Sequence, residues 1–88
     1  MSHLCISSLV VQARPAMLAA VRDRLSAIPE AEVLGENREG KLVVVIDAPG
    51  IREAANRISE IQDTDGVLAA NLIFQYDDQF KTQAEDSV

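Results

Sequence analysis

Gly40-Lys41-Leu42-Val43-Val44-Val45-Ile46-Asp47 holds five consecutive aliphatic residues, four of them β-branched, between a glycine and the break Ala48-Pro49-Gly50. A run of this kind reads as a central β-strand. Leu9-Val10-Val11 stands 33 positions before Leu42-Val43-Val44. The same shift carries Leu18, Val21, Leu25 and Ile28 onto Ile51, Ala54, Ile58 and Ile61. Each quartet steps by three, four and three, which is one face of a helix. A strand–helix–strand unit is therefore written twice.

Working outward, residues 4–12 form the first strand. A helix follows from Pro15, a residue suited to a first turn, and Pro29 stops it. Residues 31–36 give a second, weaker strand, because Val33 and Leu34 are its only large apolar residues. Asn37-Arg38-Glu39-Gly40 is a turn in which Gly40 is free to take positive φ. The second helix adds Ala55 to its apolar stripe, Asp63-Thr64-Asp65-Gly66 turns the chain, and 67–76 is the last strand. The order is that of an α+β, ferredoxin-like βαββαβ plait. Right-handed crossovers then place both helices on one face of a four-stranded antiparallel sheet of order 4132. Residues 1–76 form the single domain. Residues 77–88, with four acids against Lys81, are expected to be an acidic flexible tail.

The 88 residues suffice for one domain, and 48% apolar with 25% charged residues is an ordinary globular balance. Phe74, Tyr76 and Phe80 are the only aromatics, so the core is aliphatic. Eight Lys and Arg against fourteen Asp and Glu give a net charge of −6. That balance argues against a nucleic-acid backbone or an anionic lipid surface and favours a cationic partner. Cys5 is the only cysteine, which excludes an internal disulfide and a cysteine metal cluster. There is no apolar run of membrane-spanning length and no secretory leader, so the expected compartment is the cytoplasm.

Two helices on one face leave alternate residues of every strand pointing at an uncovered surface. Gln12 and Asp47 end their strands and are polar, so their parity is assigned outward. Leu9, Val11, Leu42, Val44 and Ile46 then enter the core, with Leu72 and Phe74 from the last strand. The open face receives Ser8, Val10, Gln12, Val43, Val45, Asn71, Ile73 and Gln75. A one-residue slip of register would exchange the two sets. Valine on a sheet face can reflect strand propensity alone. Here Val10, Val43, Val45 and Ile73 would be neighbours inside a polar rim, the pattern of an interaction patch. Glu32, Glu36, Asp47, Asp77 and Asp78 fall near its borders.

Recognisable chemistry is missing from the sequence. The loop Ala13-Arg14-Pro15-Ala16 lacks the paired thiols of a metal carrier. The two central strands lack the aromatics that stack RNA bases. No glycine precedes Gly35 to build an anion cradle before the first helix, and neither nucleotide-binding glycine motif occurs. Cys5 and His3 lie two apart on a strand with no orienting acid. The thiol is expected to pack as a small hydrophobe and His3 to be exposed. No enzyme activity, metal or cofactor is expected.

Ser8-Leu9-Val10-Val11-Gln12-Ala13, Gly40-Lys41-Leu42-Val43-Val44-Val45 and Gly66-Val67-Leu68-Ala69-Ala70 together resemble the NapD family. The likeness spans residues 4–76 and extends to length, acidic tail and helix spacing. It implies a small cytoplasmic chaperone of the catalytic subunit of periplasmic nitrate reductase. Such a chaperone would bind the twin-arginine signal peptide of that precursor and delay export until the molybdenum cofactor is inserted and the subunit has folded. It would carry no cofactor and catalyse nothing; the sequence leaves the oligomeric state open, with a monomer favoured. The implied platform is Ser8, Val10, Val43, Val45, Asn71 and Ile73, with Gln12 and Gln75 at its rim. Glu32, Glu36, Asp47 and Asp77 would meet the arginines. The peptide would lie on the sheet as an amphipathic helix, or add a strand to the edge formed by the second or fourth strand. The competing expectation is a small dimeric regulatory or effector-binding plait whose second copy covers the open face.

Overall fold

The computed structural model describes residues 4–77. Strand β1 is Cys5–Ala13, and a single 3₁₀ turn at Pro15–Met17 leads into helix α1, Leu18–Ser26. Strands β2, Ala31–Glu36, and β3, Lys41–Ala48, form a hairpin; helix α2, Ile51–Gln62, and strand β4, Val67–Asp77, complete the chain. The sheet order is β2-β3-β1-β4 with every pairing antiparallel, which is the expected ferredoxin-like plait. His3 and residues 78–88, where the flexible tail was expected, lie outside the described residues. No helix among the described residues is long and apolar enough to cross a membrane.

The two central strands follow strict alternation. Cys5, Ser7, Leu9, Val11 and Ala13 of β1 are buried, as are Leu42, Val44, Ile46 and Ala48 of β3. β1 and β3 pair without interruption from Cys5↔Ala48 to Gln12↔Lys41, so like-facing residues stack across the ladder. Val21 and Leu25 of α1 and Ala54 and Ile61 of α2 close this core, with Leu18, Ile28 and Ile58 packed at its margin. The 33-residue shift therefore relates equivalent core positions. Two members of the second helical stripe depart from expectation, since Ile51 and Ala55 are exposed.

The edge strands do not alternate cleanly. β2 shifts register between Val33 and Gly35, and β4 shifts twice, once across Ile73 and once across Leu68. Each shift is a β-bulge, which inserts a residue and reverses parity beyond it.

Turns fix the frame. Gly40 has φ 93°, and a Cβ there would strike the Ala13 carbonyl. Gly66 has φ 98° and packs against Val21 and Met17. Glu30 takes a φ of 71° after Pro29, where the Ala31 amide donates to the Ile28 carbonyl. Its side chain pairs with Arg57 Nε at 3.0 Å, and Arg57 Nη1 meets Glu60 at 2.7 Å. Those hydrogen bonds, Glu60 first and Glu30 second, hold the Arg57 pKa above its usual value.

Candidate functional site

The surface opposite the helices is built from four short rows that cross the strands. Because directly paired residues share a face, the register defines each row. One row runs Gly35, Val43, Val10, Asn71. The next runs Glu32, Val45, Ser8, Phe74. A third holds Asp47, Ile6 and Tyr76, and a fourth holds Lys41, Gln12 and Ala69. Neighbouring strands are about 4.8 Å apart, so a four-residue row spans about 14 Å.

Val43 is 44% exposed and Phe74 56% exposed, while Val10, Val45, Ile6 and Tyr76 are half-buried. These side chains form an apolar strip that no helix covers. Of the residues expected on this face, Ser8, Val10, Gln12, Val43, Val45 and Asn71 occupy it. Ile73 sits in the β4 bulge without a register partner on β1 and is 64% exposed.

Gln75 corrects the sequence expectation. It pairs with Ser7 on the helix side, and its Nε2 donates to Ser7 Oγ at 2.9 Å. Phe74, expected in the core, lies opposite Ser8 on the open face. One inserted residue at Ile73 explains both reversals. Leu72 shares the side of Leu9, as expected, but stays 48% exposed at the sheet edge.

The acidic rim divides in the same way. Glu32 pairs with Val45 and Asp47 with Ile6, so both stand on the open face. Glu36 pairs with Leu42 on the helix side, beyond the β2 bulge, and both of its carboxylate oxygens lie 3.4 Å from Arg22 Nη1. Asp77 pairs with Cys5, also on the helix side. Glu36 and Asp77 therefore do not border the open face as expected. Among the described residues, Arg22, Arg24 and Arg57 form ion pairs with acids on the helix side of the sheet, Asp23, Glu36, Asp65, Glu30 and Glu60, whereas Glu32 and Asp47 enter no ion pair.

Gln12 has a structural task as well as its place on the face. Its Nε2 donates to the Ala13 and Glu39 carbonyls, both at 2.9 Å, and so clamps the β2–β3 turn against β1. A groove of about 300 Å³ opens beside that clamp, lined by Val10, Gly35, Glu36, Asn37, Lys41 and Val43. Cys5 is buried, as expected of a packing thiol. No cluster of His, Cys, Asp and Glu able to hold a metal occurs among the described residues.

Ile6, Gly35, Lys41, Ala69, Phe74 and Tyr76 are the face residues that the sequence reading missed. Ile6 was within reach, because it shares the parity of Ser8 and Val10. Gly35 also carried a signal, since glycine inside a strand marks a bulge or a close approach. Phe74 and Tyr76 carried none without the bulge.

Comparison with known proteins adds a relationship. The family model described as "NapD protein" matches residues 4–79. The Chaperone NapD of Escherichia coli K12 is 29% identical over 75 residues, covering 84% of this chain and 86% of that protein. The Chaperone NapD of Haemophilus influenzae is 28% identical over 75 residues, covering 84% and 81%. The solution structure of the E. coli Tat proofreading chaperone NapD superimposes with a TM-score of 0.78 at 30% identity, over 81% of this chain and 76% of that one. A transcriptional regulatory protein of the AsnC family from Pyrococcus furiosus superimposes with a TM-score of 0.57 at 18% identity, over 85% and 49%; that likeness is one of fold alone.

Proposed function

The chain belongs to the NapD family, and from that premise we propose that it is a cytoplasmic chaperone that holds a twin-arginine signal peptide on its open sheet face. The proposed client is the catalytic subunit of periplasmic nitrate reductase, retained until its molybdenum cofactor is in place and the subunit has folded. The chaperone performs no catalysis and carries no cofactor in this role.

The observation that carries the reading is a bare apolar strip beside two carboxylates, Glu32 and Asp47, that the protein's own arginines do not engage. A twin-arginine signal joins two cations to an apolar stretch, and this surface offers a complement to each. Ser8, Val10, Val43, Val45, Asn71 and Phe74 form the proposed platform, with Ile73 at its edge. Each 100 Å² of apolar surface covered contributes about 2.5 kcal/mol before ordering costs. The two acids steer the arginines and fix orientation, and their effect weakens with salt.

Titration with a synthetic twin-arginine signal peptide tests the reading. Wild type binds, and Val10→Glu and Val45→Glu abolish binding while circular dichroism is unchanged. Wild-type affinity in both variants contradicts the platform. Sedimentation mass separates the other use of a bare sheet face. A tight dimer that buries Val10 and Val45 would leave no room for the peptide.

A further inference from the structure

Gly35 is the open-face position without a side chain, and nothing in the fold demands that it be glycine. Its φ lies outside the left-handed region, and a Cβ built there meets no atom within 4 Å. By contrast, Gly40 and Gly66 have positive φ and crowded surroundings. What the missing side chain does is keep open the groove between Val10, Val43, Asn37 and Lys41. Glu36 also lines this groove, but its carboxylate is directed to Arg22. The walls that remain are the two valines, with Asn37 and Lys41 as the polar members of the lining.

We infer that the Gly35 groove is a specificity subsite that seats one bulky apolar side chain, of leucine or phenylalanine size, from the apolar stretch of the bound peptide. The inference rests on the proposed peptide-binding reading. It also fixes the direction of the peptide. Lys41 repels arginines from the groove end, whereas Glu32 and Asp47 attract them toward the other. Val43 and Asp47 are four residue steps apart on β3, a span of about 13 Å. A helical peptide covers that span in about nine residues and an extended one in about four. In a peptide whose apolar stretch follows its arginines, the distance of the seated residue from them along the chain reports the bound conformation.

The test uses the full chain and a synthetic peptide carrying two adjacent arginines followed by an apolar stretch. A Cβ at Gly35 meets no atom within 4 Å, so Gly35→Leu is expected to fill the groove with thermal unfolding near the wild-type temperature while affinity falls about tenfold or more. Gly35→Ala gives a smaller loss in the same direction and serves in place of Gly35→Leu if the larger residue impairs folding. In an alanine scan of the peptide, the substitution most damaging with wild type causes no further loss with Gly35→Leu. If Gly35→Leu and Gly35→Ala both bind within about twofold of wild type while Val45→Glu loses binding, the subsite is wrong and the open-face reading stands. If wild type fails to bind, or Val45→Glu binds as wild type does, both fall together.

Discussion

Leu42 and Val43 are consecutive residues of one strand, yet they belong to different surfaces with different tasks. Leu42 is fully buried under the helices, in a ladder with Val11, while Val43 is 44% exposed beside Val10. Both are aliphatic, and neither composition nor hydropathy separates them. The difference arises because two helices cover only one side of a four-stranded sheet. One side closes into a core that carries stability. The other keeps apolar area in water, a cost that becomes useful when a partner covers it.

The sharpest way to break this division is to truncate each side and ask which property fails. Leu42→Ala removes a fully enclosed side chain and should lower stability by about 2–5 kcal/mol in a urea melt. Peptide affinity per folded molecule should hardly change. Val45→Glu should do the reverse, moving stability by no more than about 1 kcal/mol while weakening peptide binding in calorimetry beyond detection. If Leu42→Ala alters affinity as much as Val45→Glu does, the two faces are not separable.

A second pair of variants probes the bulge that sorts β4. Phe74→Glu should weaken peptide binding and leave the unfolding midpoint nearly unchanged. Gln75→Ala should spare binding but cost about 1–2 kcal/mol, since it removes the donor to the buried Ser7 hydroxyl. Reversed outcomes would mean that β4 presents the opposite residues in solution.

The smallest effects belong to the charges. Glu32→Lys and Asp47→Lys should each weaken peptide binding about two- to fivefold at low salt, and the difference should shrink as salt is added. Glu36→Lys should not reproduce this loss, because the Glu36 carboxylate faces Arg22 on the helix side. Equal losses at all three positions would show a general charge effect.

The same contrast explains what could be read before the structure was known. In β1 and β3 an unbroken ladder keeps side-chain parity constant, so Leu9, Val11, Leu42, Val44 and Ile46 were assignable from Gln12 and Asp47 alone. The 33-residue repeat supplied the strand–helix–strand order and hence the sheet. In β2 and β4 one inserted residue at Leu34 or Ile73 reverses parity, and no local composition marks it except Gly35. Glu36, Gln75, Asp77 and Phe74 were misplaced for that reason. The proposal of a cationic, apolar peptide as partner came from family resemblance; charge and patterning agree with it without specifying it.

The most direct test of the open-face claim is an amide chemical-shift titration of the isotope-labelled chain with a twin-arginine signal peptide. Saturable shifts are expected at Ser8, Val10, Val43, Val45 and Phe74, with the exposed surfaces of α1 and α2 silent. Shifts confined to the helices, or to the free edge of β4 with Val10 and Val43 unmoved, would contradict it.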